Sequence, residues 1–531
     1  MSSSINNNDR KSLLSGVFAM GIATILVKIL SVLYKIPMLN ILGEEGMGYF
    51  NTAYTIYGFF YIVCTAGVPK AITILLSSAR ERGEHREYSN TLKSAFVLFL
   101  GIGSVLSVAF LVLSGSIARC IGSPNSVYSM MVIAPSLIIV SVTGVLRGYL
   151  SAVGRLGSIS VSQILEGVFK LCAGLLLSQY SSQLGLDIPI CGAIAILGVD
   201  LGALVAMLYM LIAYKKENKE YNIGQKLLFN DFKRHTKSIF SISIPITVTS
   251  AIMSISSIID LFMIMSRLSS LGYSEGLCAR LYGNYTTLAV PMFNLCVSLI
   301  TPLSIAYLPK LTSCFVRGCE SKFTREVSSF SNLTMLFSAL LFAVLCFFPK
   351  QSLYFIFGEN GYVLGGELLS SLSISVMVYS ALIVVNTALE AKRYVKIPLI
   401  SMLIGCLFKI PVEYLLLSKP EINIFGAVYS TNLTYAIALL ISTCLAIRKR
   451  ALLGRNLLLG VGYYGVAILS GVMSSMLYDR FNFSAENRLD TILILFLLLI
   501  LYVFLSVFIT FVGCLFTKNQ QIAQKTVGNF I

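Results

Sequence analysis

The chain has 531 residues, 56% of them hydrophobic and only 12% charged, with a formal net charge of +16. Soluble domains carry roughly 25% charged residues, so this composition excludes a water-soluble protein and implies a polytopic membrane protein with no separate soluble domain. The positive balance is not a nucleic-acid footprint, because the lysines and arginines fall in short loops between apolar stretches, the positive-inside pattern, rather than on one continuous basic face.

The chain opens with a polar tail, Arg10-Lys11, and an apolar run of about 25 residues that contains lysine. A secretory signal has a shorter apolar core and a small-residue cleavage site, so this run reads as a first membrane helix that is retained. A span needs about 20 apolar residues. Fourteen segments qualify: 13–37, 47–78, 90–113, 126–150, 157–180, 190–214, 238–264, 281–308, 325–348, 364–390, 395–417, 424–447, 457–478 and 490–516. Counting the basic residues tests this map. The tail and the loops after even-numbered spans hold 28 of the 40, the other loops hold 7, and Lys28, Lys35, Lys70, Lys170 and Lys409 fall within spans. A missed span would scramble that alternation, so it supports fourteen spans with both termini in the cytoplasm.

Spans one and two meet at a short acidic turn, Gly43-Glu44-Glu45-Gly46, and contain Lys28, Lys35 and Lys70. A charge inside a membrane helix costs about 2.5–3.5 kcal/mol or more and rarely stays without a task. Lys28 and Lys35 are two turns apart and share a helix face, which would line a polar cavity for an anion. Lys35 lies near the outer end of its helix, where snorkelling is the alternative. Lys70 follows Pro69, which is expected to kink span two.

Span five holds Glu166 and Lys170, and span eleven holds Lys409 and Glu413; both pairs are spaced i,i+4 and can meet on one helix face. Each is either a self-neutralising ion pair or part of the cavity. Asp200 in span six reads as a helix cap or a partner of a neighbouring helix, and Asp260 in span seven lies near the outer end, where it can snorkel. Spans seven and eight carry Pro245, Pro291 and Pro302 with Asn284 and Asn294 nearby, and kinked helices with free carbonyls often line pathways.

The twelve cysteines are scattered, and no CxxC occurs, so buried free thiols are expected. His85 and His235 lie in basic loops, so no metal site is expected, and no GxxxxGK[ST] nucleotide motif occurs, so neither is a cofactor. Tryptophan is absent, which leaves the interfacial belt to the 27 tyrosines.

The longest connection, Lys215 to Lys237, divides the first twelve spans into two sets of six. Sliding the sequence by 239 residues brings Leu150 onto Leu389 and Phe169-Lys170 onto Phe408-Lys409. Such ordered similarity indicates an internal duplication, and an even number of spans per half makes the repeat parallel. The expected architecture is therefore an all-α membrane protein of about 14 helices. It has an N-terminal lobe (1–237), a C-terminal lobe (238–450), and two further spans with a tail (451–531).

The stretches from Leu26 to Ile72 and from Ala134 to Leu171, notably Arg147-Gly148-Tyr149 and Ser162-Gln163-Ile164-Leu165-Glu166, resemble bacterial polysaccharide exporters of the stage V sporulation protein B type. These are related to lipid II flippases, within the multidrug/oligosaccharidyl-lipid/polysaccharide exporter superfamily. Leu150-Ser151-Ala152 and Ser158 depart from the pattern, which usually has phenylalanine, glutamine and glycine at the first three and often proline at the last. The resemblance implies two six-helix lobes plus two C-terminal helices that form a groove for a lipid tail. It implies flipping of an undecaprenyl-pyrophosphate-linked saccharide, with Lys28, Lys35 and Lys70 in a cationic cavity. The expected partners are the lipid-linked glycan, membrane lipids and a coupling ion, sodium or proton. Glu166, Lys170, Asp260, Asn284, Lys409 and Glu413 complete the expected cavity. The competing reading, a cation-coupled multidrug exporter, would favour carboxylates in the first two helices, which hold lysines. An integral membrane enzyme would need clustered carboxylates or histidines on a long loop. A non-transporting scaffold for wall assembly is a third reading.

Overall fold

The computed structural model describes residues 7–217, 228–451, 455–481 and 489–505, and every regular element within them is helical. In chain order these are α1 (Asn7–Thr65), α2 (Val68–Glu81), α3 (His85–Ile121), α4 (Val127–Ile133), α5 (Ser136–Ala152), α6 (Leu156–Gln183), α7 (Ile188–Glu217), α8 (Phe229–Ser270) and α9 (Glu275–Asn284). A π-helical turn, Tyr285–Ala289, leads into α10 (Val290–Val316). Then come α11 (Glu320–Phe347), α12 (Pro349–Phe357), α13 (Tyr362–Ala391), α14 (Lys396–Leu417), α15 (Phe425–Arg448), α16 (Arg455–Arg480) and α17 (Leu489–Leu505). Among the described residues, nine helices are long and apolar enough to cross a membrane, or ten if the bent pair Pro124–Ile133 and Ser136–Ala152 forms one span. The chain is a multi-pass membrane protein. The expected fourteenth span, 490–516, lies outside the described residues beyond position 505.

The acidic turn is where α1 breaks. Gly43 adopts φ 68°, ψ 179°. A side chain there would meet nothing within 4 Å, so the demand for glycine is conformational rather than steric. Expected span two is itself two helices. The chain leaves α1 at Thr65 and restarts at Val68, with Pro69 in the first turn of α2. Pro69 therefore does not kink a continuous helix: at that position the missing N–H has no helical partner to lose. The approach of α8 explains the break, since a Cβ on Gly67 would lie 2.2 Å from the carbonyl oxygen of Ser243.

The contacts divide the chain into two compact units, Met1–Gly283 and Asn284–Ile531. The sequence places a boundary at 237/238; α8, the first helix beyond it, packs on α1, α2 and α3 and so counts with the first unit. In that unit, α6 and α7 pack almost backbone to backbone. A Cβ on Gly198 would lie 2.4 Å from Gly174 N, and one on Gly202 would lie 2.6 Å from Glu166 O. Small residues four apart allow such approach where no hydrophobic force drives helices together in lipid. Tyr34 of α1 lies over Gly174, whose added Cβ would be 2.8 Å from the tyrosine ring. In the second unit α14 and α15 repeat the device, with a Cβ on Gly405 reaching 2.7 Å from Thr434 O. Tyr464 of α16 shares 2.7 Å hydrogen bonds with both Ser338 of α11 and Ser380 of α13.

The two units also share a turn. Helices α5 and α13 end at Ala152 and Ala391, 239 residues apart. After each, one residue takes a left-handed conformation: Gly154 at φ 82° and Arg393 at φ 67°. The next amide closes the same loop, Arg155 N to Leu150 O at 2.8 Å and Tyr394 N to Leu389 O at 2.9 Å. This is the helix-ending hydrogen-bond pattern that left-handed residues permit. It falls at the offset of the sequence repeat.

A polar cluster ties the first turns of α3 to those of α8. Glu87 pairs with Arg234, Asp231 lies 3.5 Å from Arg86, and Asn90 Nδ2 donates to Asp231 at 3.2 Å. His235, 2% exposed, is 3.0 Å from Thr91 Oγ1 and 3.7 Å from Glu87, through Nδ1 in both cases. Burial pushes its imidazole below the ordinary value, Arg234 adds to that, and Glu87 and Asp231 oppose it.

Two expected outcomes follow from this packing. Gly202→Ala already places a carbon against the α6 backbone, so it should destabilise the purified protein by about 1–3 kcal/mol, read as a lower melting temperature in detergent. An unchanged melting temperature would mean that α6 and α7 can part without loss. Folded His235 takes a proton less readily than it does in the unfolded chain, so the unfolded chain takes the proton first as pH falls. Its contribution is therefore intact above its ordinary value near 6.5 and is lost as pH drops below it. Melting curves from pH 8 to 5.5 should fall more steeply for the wild type than for His235→Gln.

Candidate functional site: a tyrosine ladder with three cations

Beyond the Gly43 break, α1 presents Phe50, Tyr54, Tyr57 and Tyr61, spaced 4, 3 and 4 residues apart and therefore on one face. Their rings follow one another at 5.8, 5.8 and 5.9 Å between centroids. Tyr34, from α1 before the break, continues the row at 6.2 Å from Phe50. The row is held because α6 packs beside α1, with Gly167 against Leu30 and Gly174 against Tyr34.

Helix α6 brings two charges to this row. Lys170 Nζ donates to Tyr54 OH at 3.2 Å and lies 4.6 Å above the Tyr54 ring and 5.3 Å from that of Tyr34. A cation over an aromatic face gains about 0.5–2 kcal/mol as it is desolvated. Lys35, half-buried, is near enough to Lys170 for the two ammonium groups to repel. One turn before Lys170, Glu166 accepts a 2.8 Å hydrogen bond from Arg147 Nη2 of α5. Tyr61 lies within electrostatic reach of the same guanidinium, and Tyr57 and Tyr61 both lie within such reach of Glu166. Arg147 Nε is buried with no hydrogen-bond partner among the described residues. Asp200 of α7 has a buried Oδ1 with no hydrogen-bond partner among the described residues.

Two expectations change here. Glu166 and Lys170 do not form their local i,i+4 pair: Glu166 is taken by Arg147 and Lys170 by Tyr54. Interhelical partners at hydrogen-bonding distance outcompete a local pair, which contributes about 0.2–0.5 kcal/mol. Arg147, one of the 28 basic residues counted with the loops, sits instead within α5 with its side chain 16% exposed. Sequence reasoning missed it because it falls six positions before the turn, and it missed the ladder although the 4-3-4 aromatic spacing was there to find.

Of the expected cavity residues, the structure brings Lys35, Glu166 and Lys170 together. The side chain of Lys28 lies outside the described residues. Lys70 is exposed at the start of α2, and Asp260 is half-buried in α8. Asn284, 1% exposed, stands immediately before the π-helical turn. Lys409 and Glu413 are buried in α14 of the second unit, at 3% and 0% exposure.

Three cations against Glu166, with hydroxyl donors beside them, form an electropositive station inside an apolar bundle. It can hold an anion and offset its loss of water.

The chain is 22% identical over 494 residues to stage V sporulation protein B of Bacillus subtilis (strain 168), covering 91% of this chain and 92% of that protein. It is 21% identical over 452 residues to the lipid II flippase MurJ of the same organism, covering 81% of each. Among solved structures, it superposes on lipid II flippase MurJ in an inward closed conformation with TM-score 0.70 at 14% identity, over 92% of this chain and 97% of that one. An inward-facing multidrug resistance MATE family transporter of the MOP superfamily follows with TM-score 0.66 at 13% identity, over 82% of this chain and 98% of that one. Residues 13–315, more than half of the chain, match the polysaccharide biosynthesis protein family, and to that family this chain belongs.

Proposed function

We propose that the chain is a flippase. It carries an undecaprenyl-pyrophosphate-linked saccharide, lipid II or a polysaccharide repeat unit, across the cytoplasmic membrane by alternating access. The observation that carries this reading is Lys170 held against Tyr54 on the aromatic row, with the Arg147–Glu166 pair one turn away. At 4 Å a unit pair interacts by about 4 kcal/mol at an effective permittivity near 20, so a cation inside an apolar bundle offsets much of the cost of drawing a pyrophosphate out of water. The isoprenoid tail can stay in lipid while the head group crosses. The family and the lipid II flippase relative support the reading.

In this proposal the lobes are 1–237 and 238–450, with 451–531 as added spans, and both termini lie in the cytoplasm. Lys28 and Lys70 add to the cationic lining, and Asp260 to its polar part. The second unit offers Asn284 before the π-helical turn, and Lys409 and Glu413 on α14, the repeat counterpart of α6. A sodium or proton gradient, or the membrane potential, supplies the driving force.

Proteoliposomes loaded with fluorescent lipid II should show flipping by the wild type. Lys170→Met should slow it at least tenfold. Tyr54→Phe removes one hydrogen bond, worth about 0.5–1.5 kcal/mol, and should slow it a few-fold. Flipping that is indifferent to Lys170→Met would remove the ladder from the mechanism. Absence of flipping together with export of a cationic dye would replace this reading with the drug-exporter one.

A further inference from the structure

Arg147 and Glu166 form an ion pair that the cationic station does not need for its charge, since Lys35 and Lys170 already supply that. The pair stands one helical turn along α6 from Lys170, a rise of about 6 Å. Counted from the turn after Ala152, cytoplasmic in the proposed orientation, Arg147 is the shallower group and Lys170 the deeper one. Lys170 meets the tyrosine row at Tyr54, and Arg147 lies within electrostatic reach of Tyr61 on the same row. The Arg147 guanidinium gives one N–H to Glu166 and retains a buried Nε–H without a partner among the described residues. A guanidinium is a planar fork that suits a phosphate better than a single carboxylate contact does.

We propose that Glu166 is a resident stand-in for the substrate's anionic group. Its carboxylate occupies Arg147 when the site is empty, and the pyrophosphate displaces it on entry from the cytoplasmic side. The released Glu166 then stands between Arg147 and Lys170, and its return to Arg147 drives the phosphates on toward Lys170 and Lys35. Arg147 is thus the first cation that the head group meets, and Glu166 sets how tightly it is held and how readily it is let go. No bond is made or broken; two anions exchange on one cation. This inference rests on the proposed flippase reading, which it deepens by assigning an entry station and a release group to the same ladder.

The purified full chain is titrated with farnesyl pyrophosphate, with farnesyl monophosphate and farnesol as controls, and its melting temperature is followed in parallel. Glu166→Gln keeps the shape of the side chain and removes its charge. It should bind farnesyl pyrophosphate about tenfold more tightly than the wild type while flipping lipid II more slowly, because release is impaired. Arg147→Gln should weaken binding at least tenfold. In the Arg147→Gln background, Glu166→Gln should produce no tightening, because the two act on one site. A carboxylate that only braces α5 against α6 would instead give Glu166→Gln weaker binding and a lower melting temperature, and that result overturns the inference. Tightening that persists without Arg147 overturns it as well, since the effect would then be a general change in potential. If wild type binds neither prenyl phosphate, the flippase reading itself fails. If it binds the pyrophosphate but Glu166→Gln binds no more tightly, only the present inference fails.

Discussion

The near-contact of the α6 and α7 backbones at Gly198 and Gly202 is the constraint on which the ladder depends. Lipid tails are as apolar as leucine, so helices in a membrane gain little by burying side chains against each other and must gain it from close packing instead. Gly202 lies against the carbonyl of Glu166 and the amide of Lys170. The two charges are therefore fixed by the very residues whose backbone is pinned. From this pinned stretch Glu166 reaches Arg147 of α5 and Lys170 reaches Tyr54 of α1, where Tyr34 covers Gly174. A rotation of α6 by one residue would swing both charges by about 100° and leave Lys170 without its ring partners.

Much of this was legible in the sequence, and the failures have physical causes. Runs of apolar residues announce spans because lipid leaves the backbone no alternative to the helix, and the Gly43 break follows from two glycines around two glutamates. Pro69 misled because proline reads the same at a helix start as in a helix interior; what distinguishes them is the neighbour at Gly67, a long-range contact that no local pattern contains. Lys35, Glu166 and Lys170 stood out as charges in apolar surroundings. Their partners did not, because an i,i+4 rule describes an isolated helix, and here two other helices came closer. Arg147 was hidden by its position: near the end of a span, an arginine that reaches outward to water and one that folds inward have the same sequence signature.

A station made only of lysines would hold an anion too well to serve as a pathway. In the proposed cycle, binding strong enough to draw a pyrophosphate out of water is matched by a carboxylate among the cations, which needs no moving part larger than a side chain. The ring row serves the same end. Tyrosine faces stabilise Lys170 when no anion is present, yet each such contact is weak beside a full ionic bond. The empty site is therefore neither an unpaired charge in oil nor a sealed salt bridge. The second unit keeps Lys409 and Glu413 fully enclosed in α14, a different solution on what the repeat makes the equivalent helix.

The turn shared by Gly154 and Arg393 bears on how far one residue type is needed to make a corner. A left-handed backbone is nearly free for glycine and costs an ordinary residue about 1–2 kcal/mol. At Arg393 that cost is met by the surrounding structure, and the descent into α14 closes with the same hydrogen bond that follows Gly154. Likeness between corners is therefore better sought in the path of the backbone than in its letters: a search for glycine would find the first of these two turns and pass over the second.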